Sequence, residues 1–202
     1  MLPPGMKKLL PQAAPPVISY DFSDVARQTG YKQYYLYQGS SGAYMLLDNN
    51  NFLTEAVIKS WSASSTELKE VITITSDLNF NVPQNIKGDF FVNFHWDFVP
   101  GGATPGIAVA SAAIYHYDGA ATTLLGNAAG KPISSTGGVS SSAAALIKIN
   151  IPNVVHFKIG DSLRLIESVS ASGAAGSNAN IYFNPHVQEF SDKIYIPYKI
   201  EV

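Results

Sequence analysis

Between Asp89 and Phe98 the chain reads DFFVNFHWDF, with a large apolar residue at every second position. Phe90, Val92, Phe94, Trp96 and Phe98 therefore share one face of a strand, and Phe91, Asn93, His95 and Asp97 share the other. At roughly 1.5–3 kcal/mol for each buried large side chain, this strand contributes on the order of 10 kcal/mol to a core before conformational entropy is subtracted. It is the natural centre of the domain.

The same two-residue period recurs on both sides of it. YKQYYLYQG (Tyr31 to Gly39) and AYMLLD (Ala43 to Asp48) form a predicted hairpin across a glycine-rich loop. FLTEAVIKSW (Phe52 to Trp61) follows the turn Asp48-Asn49-Asn50-Asn51. LKEVITIT (Leu68 to Thr75) alternates, and SDLNFNVP (Ser76 to Pro83) either extends that strand or begins another. Past the Gly/Pro-rich loop from Val99 to Gly106, IAVASAAIYHY (Ile107 to Tyr117) is small and apolar on both faces. Alanine also favours helix, but the preceding Gly and Pro and the aromatic end predict a strand. Asp118-Gly119 turns the chain into Ala121 to Gly130, and Ser134 to Ser142 is a low-complexity stretch.

AALIKINIP (Ala144 to Pro152) places Ala145, Ile147, Ile149 and Ile151 inward, with Lys148 and Asn150 outward. VVHFKIGD (Val154 to Asp161) ends in a Gly-Asp turn, and SLRLIESVS (Ser162 to Ser170) puts Leu163, Leu165, Glu167 and Val169 on one face. NIYFNP and the closing KIYIPYKIEV (Lys193 to Val202) complete the series, with Pro197 implying an edge or a bulge. Ten to twelve short strands with turn signals every 8–12 residues predict an all-β fold, a two-sheet antiparallel β-sandwich. The segment from Val17 to Gly30 is read as irregular, with Ser19, Asp21 and Asp24 supplying turn and cap chemistry.

The first sixteen residues differ in kind. They hold five prolines, at positions 3, 4, 11, 15 and 16, so an extended N-terminal arm is expected over 1–16 and a single domain over 17–202. At about 3.1 Å per residue the arm reaches roughly 50 Å, far enough to tether a neighbour, although a frayed terminus fits the same composition. Pro11, Pro15 and Pro16 interrupt its apolar part, which makes a poor signal peptide.

Composition narrows the partners. Only 14% of residues are charged against 46% hydrophobic, which fits the polar but uncharged surface of a subunit packed in an assembly, and equally an ordinary secreted-type β domain. With a net charge of −2 and no basic patch, no nucleic acid is expected as a partner. There is no cysteine for a disulfide or thiolate site, and no apolar run long enough for a spanning helix, so no membrane partner is expected.

Candidate chemistry is sparse. The four histidines, His95, His116, His156 and His186, are scattered, and only Asn93, His95 and Asp97 share a strand face on which a cation has a geometric route to binding. No G-x-S-x-G elbow or phosphate loop occurs, so no catalytic, cofactor or metal residue is assigned and an enzyme is not expected. Tyrosines are more informative, because an apolar body with a polar tip serves sugar stacking, wet protein interfaces and core edges alike. Tyr34, Tyr35, Tyr37 and Tyr182 are the candidate ligand or interface aromatics, and Val109, Ala110, Ala112 and Tyr115 the candidate oligomer interface.

INIPNVVHFKIGDSLRL (Ile149 to Leu165), followed by NIYFNP (Asn180 to Pro185) and KIYIPYKI (Lys193 to Ile200), resembles the C-terminal half of small jelly-roll virion proteins of tailed bacteriophages. YDFSDVARQTGYKQYYLY (Tyr20 to Tyr37) is similar to their opening segment. The resemblance covers roughly half the chain. It implies a jelly roll closed by the K-x-G-D turn and the terminal strand, and a capsid decoration, spike or fibre protein, commonly a homotrimer. The implied partners are other copies and virion proteins such as the major capsid protein, and the implied location is the virion after synthesis in the host cytoplasm. A His-Asp-Pro triplet of that pattern is replaced here by Phe183-Asn184-Pro185-His186, so no role of the triplet carries over. Two other readings stand beside it: a jelly-roll module that binds carbohydrate, such as a host-surface glycan, or another receptor, and a major capsid protein without the usual basic arm.

Overall fold

The computed structural model describes residues 29–38, 44–47, 57–63, 68–99, 106–135, 141–172, 177–183 and 192–199. The expected arm, the segment before the first strand and the loop at 100–105 lie outside the described residues. Every regular element among the described residues is a strand: β1 (Thr29–Gln38), β2 (Tyr44–Leu47), β3 (Val57–Ala63), β4 (Lys69–Asn79), β5 (Gln84–Val99), β6 (Gly106–Tyr117), β7 (Thr122–Ala129), β8 (Ile133–Ser135), β9 (Ser141–Phe157), β10 (Ser162–Ser172), β11 (Ser177–Phe183) and β12 (Lys193–Lys199).

The strands form two antiparallel layers. In the first sheet β5 pairs with β9 on one edge and with β12 and β11 on the other; β12 continues to β1 and β2, and β11 to β3. In the second sheet β10 lies between β4 and β6, and β6 carries β7 and β8. A short parallel bridge, Tyr44↔Ser76 and Met45↔Asp77, links β2 to β4 and so joins the layers.

The sandwich core follows from strand alternation. Phe90, Val92, Phe94, Trp96 and Phe98 of β5 are all buried, as the sequence predicts, and Ile147, Ile149 and Ile151 of β9 and Ile194 and Ile196 of β12 extend that layer. The second sheet contributes Ile72 and Ile74, Leu163, Leu165 and Val169, and the alanines 108, 110 and 112 with Ile114. At the other edge β7 crosses close to β9: a Cβ added at Gly126 would lie 2.9 Å from Ile149 Cγ2 and 3.2 Å from the Asn150 carbonyl oxygen. A register shift beside Tyr115 brings Gly126 opposite Ile114 at this crossing.

Three local features resolve expectations that the pattern left open. Ser76 to Asn79 extends β4 and does not start a new strand. The runs on either side of Pro152 form one strand, β9, because the ladder with β5 slips there: Ile86 faces Val155 but Gly88 faces Ile151. The irregularity removes Pro152, which has no N–H to donate, from the regular ladder. Pro197 is accommodated differently: it stays in register opposite Tyr31 in the ladder with β1, while the ladder with β5 on its other side ends at Tyr195, before the proline.

The K-x-G-D turn between β9 and β10 also has a physical basis. Gly160 adopts φ 89°, and the Asp161 carboxylate accepts the Lys158 N–H at 2.8 Å and lies 2.7 Å from His116 Nε2. The Lys158 amide, and then the His116 contact, hold the Asp161 carboxyl below the usual range. The His116 ring meets Phe157 edge-on at 4.5 Å, which fixes β6 against the end of β9.

The β7–β9 crossing yields a test. Gly126→Ala gains about 0.4–1 kcal/mol from a less flexible unfolded chain but forces a methyl against Ile149 and a carbonyl, at about 1–3 kcal/mol. Net destabilisation of about 1–2 kcal/mol in urea unfolding is expected; an unchanged or raised midpoint would contradict the close crossing.

Candidate functional site

The outer face of the second sheet is built from small residues. Period two sends Ala108, Ala110, Ala112 and Ile114 of β6 inward, and leaves Val109, Ser111, Ala113 and Tyr115 half-buried on the outside. Beside them β10 offers Ile166 and Ser168, and β7 offers Asn127 and Ala129. Because these side chains are short, the face is hollowed into a trough of about 320 Å³. Ser111 Oγ and Ser168 Oγ lie 2.8 Å apart on its floor. Near one end Arg164 makes two hydrogen bonds to Asp77, from Nε at 2.7 Å and Nη2 at 2.9 Å, and its guanidinium stacks 4.2 Å from the Tyr117 ring centre. Glu70 is the charged residue among those lining the trough, and the Arg164–Asp77 ion pair lies nearby.

The candidate oligomer residues divide across this strand. Tyr115 lines the trough and Val109 faces outward, but Ala110 and Ala112 are 1% and 2% exposed and belong to the core. A strand that is apolar on both faces does not reveal in sequence which face turns inward, and the aromatic face of β5 decides it.

The outer face of the first sheet is aromatic. Tyr31 and Phe91 meet with ring centres 5.7 Å apart, and Tyr195 lies between Gln33 and Phe91 in the strand register. Tyr35 sits opposite Lys193, whose Nζ is 5.6 Å from its ring. On β9, Leu146 is 67% exposed, and Lys148 pairs with Asp89 at 2.7 Å, with Asn150 donating to the same carboxylate at 2.6 Å. Tyr34 has the opposite parity: it packs against the core, with Lys32 Nζ 4.8 Å from its ring centre. Tyr37 and Tyr182 fall in β1 and β11, but their side chains are outside the described residues. Tyr31, Phe91 and Tyr195 are not among the candidate aromatics read from the sequence, although Tyr31 and Tyr195 belong to its tyrosine-rich runs and Phe91 stands on the polar face of β5.

A third cluster is sealed inside. Glu167 on β10 and Asp192 at the start of β12 are 1% and 0% exposed. Asp192 Oδ1 accepts the His95 N–H at 2.7 Å and lies 3.4 Å from His95 Nδ1, while the Asp192 carbonyl accepts the Leu36 N–H at 3.1 Å. Asp192 Oδ2, Glu167 Oε2, Trp96 Nε1 and Ser76 Oγ make no hydrogen bond among the described residues. Burial pushes the Glu167 carboxyl well up, and the Asp192 charge pushes it further. Burial likewise raises Asp192, against the His95 amide that favours its anion. Burial, and then the Lys193 charge, lower the His95 pKa. The His95 ring therefore comes near buried Asp192, which the strand-face grouping with Asn93 and Asp97 did not foresee. No cluster of three or more acids or histidines able to hold a metal occurs among the described residues.

Neither a protein family nor a curated protein matches the sequence. Solved structures do match in shape. An aminopeptidase from the marine sediment archaeon Thaumarchaeota archaeon shares 9% identity at a TM-score of 0.54, covering 85% of this chain and 37% of that one. A CocE/NonD family hydrolase from Staphylococcus aureus shares 11% identity at a TM-score of 0.50, covering 84% and 37%. The VP2 subviral particle of infectious bursal disease virus overlaps more loosely, at 12% identity and a TM-score of 0.26, covering 77% and 39%. This chain thus spans less than two fifths of those proteins, and the two closer likenesses show a common β fold and nothing of activity.

The buried acids predict a pH dependence. Their folded-state pKa values lie above those of the unfolded chain, so the folded protein keeps protons that the unfolded chain releases above about pH 4. Their contribution is complete below that pH and is lost as pH rises through the folded values. Thermal unfolding of Glu167→Gln between pH 4 and pH 9 should fall less steeply than that of the parent chain; parallel curves would exclude this role. Asp161 acts in the opposite sense, so Asp161→Asn should flatten the loss of stability on acidification below about pH 4.

Proposed function

We propose that the chain is a non-enzymatic structural subunit of a bacteriophage virion, a jelly-roll decoration, spike or fibre component that self-associates and docks on the particle. The observation that carries this reading is the character of its two outer faces. One is a shallow, mostly uncharged trough floored by Ser and Ala, and the other is an aromatic sheet with charges beside it. Such surfaces bury apolar area on contact, and Tyr and Phe are the residues that interfaces favour. The conspicuous acids, Glu167 and Asp192, are enclosed in the core where no substrate reaches them. The proline-rich arm at 1–16 supplies a tether to the major capsid protein or to a neighbouring copy, raising effective concentration through its length.

A second reading, a module for a host-surface glycan, is favoured by the outward rings of Tyr31, Tyr35 and Tyr195, which resemble a sugar-stacking surface in chemistry. The two readings are compatible in a receptor-binding spike.

The reading is tested by sedimentation of the purified full chain together with a glycan-binding screen. A concentration-stable trimer without sugar binding is the expected result. A monomer at every concentration would oppose self-association, and sugar binding abolished by Tyr35→Ala in a monomeric chain would establish the glycan module instead.

A further inference from the structure

We infer that the aromatic outer face of the first sheet, and not the Ala/Ser trough of the second, is where one copy of this chain meets another. The inference rests on the self-association proposed above and names the surface that performs it.

The geometry is that of an interface centre. Phe91 lies on β5 and is flanked in register by Tyr195 on β12 and Lys148 on β9, while Tyr31 packs on it at 5.7 Å from β1. Tyr31 is nonetheless 45% exposed, and Leu146, two residues before Lys148 on β9, is 67% exposed. Aromatic and aliphatic side chains from four adjacent strands therefore form one patch on a rigid sheet, where little side-chain entropy remains to be lost on contact. Exposed large apolar side chains gathered in one place mark an interaction surface far better than scattered ones.

The occupant is a second copy, and the charges around the patch decide this. The outward positions of the same strands carry Lys87, Lys148 and Lys193 against Asp89 and Asp97 among the described side chains, a mixed set of both signs, with Lys148 and Asp89 already paired at 2.7 Å. A nucleic acid or an anionic membrane selects a dense cluster of positive charge, and one lysine in excess, with Asp89 and Asp97 among them, is not such a cluster. A partner with the same aromatic centre and the same mixture of lysines and aspartates matches it, and a rotated copy of the face is such a partner. The trough is less suited to this role: Ser111, Ala113, Ala129 and Ser168 in its lining are small and add little buried area, Glu70 brings a charge to it, and the Ser111 and Ser168 hydroxyls already bond to one another.

Three variants of the full chain separate the possibilities. Leu146→Lys introduces a charge at an exposed position where folding tolerates it, and Tyr31→Lys does so at the centre of the patch; Ala113→Lys places the same charge in the trough. Each should weaken self-association by about tenfold or more if its face is the contact. The expected result is that Leu146→Lys and Tyr31→Lys dissociate the assembly while Ala113→Lys leaves it intact, with all three unfolding cooperatively as the parent does. A benzophenone amino acid at position 146 should then cross-link to β1, β5 or β12 of another copy. Loss of assembly through Ala113→Lys alone, or cross-links confined to residues 1–16 or to a protein other than this chain, would overturn the assignment of the face while leaving self-association in place. A parent chain that is monomeric throughout would overturn both.

Discussion

The inward face of β5 is the constraint on which the structure depends. Five large side chains on one strand, three of them Phe and one Trp, need a facing layer that leaves room for them. The second sheet provides it by being small where β5 is large: Ala108, Ala110 and Ala112 line the inner face of β6, and the Phe98 ring tip lies 2.7 Å from where a Cβ of Gly106 would be. Interiors pack at nearly crystalline density, so bulk on one face fixes slenderness on the other. The alanine content of β6 is thus explained first by the core of its own subunit.

Against this apolar background, the buried acids are costly. A carboxylate in an apolar interior requires a partner or a proton, and Glu167 and Asp192 have one shared environment and few donors. The His95 amide serves one oxygen of Asp192, and the neighbouring carboxyl raises rather than relieves the demand of Glu167. Holding a proton is the cheaper solution, so both carboxyls titrate above their usual range. The cluster draws on β5, β10 and the start of β12, and so ties the first sheet to the second through chemistry that responds to pH.

Much of the fold was legible in the sequence because a strand's period is two and one face of each strand is apolar. β5, β10 and the inward isoleucines of β9 were read correctly for that reason, and the K-x-G-D turn was visible through its glycine and aspartate. Legibility failed where the period is silent. The β6 strand is apolar on both faces, so Ala110 and Ala112 were grouped with Tyr115 although they point the other way. Consecutive tyrosines have the same difficulty: Tyr34 and Tyr35 look alike in sequence and occupy opposite faces. The position of Glu167 on an apolar face was plain, but its meaning depends on Asp192, which is distant in sequence and meets it only through folding. The aromatic outer patch likewise gathers Tyr31, Phe91, Leu146 and Tyr195 from four strands, and no window of sequence contains them together.

The central claim is that assembly buries the aromatic face of the first sheet and leaves the second sheet outward. Hydroxyl-radical footprinting of the full chain across a concentration series tests it directly, because it reads side-chain exposure residue by residue. Oxidation of Tyr31, Phe91, Leu146 and Tyr195 should fall as concentration rises, while Tyr115, Tyr117 and Leu124 on the second sheet stay unchanged. Protection confined to the second sheet, or no change on either face as the chain associates, would contradict the account.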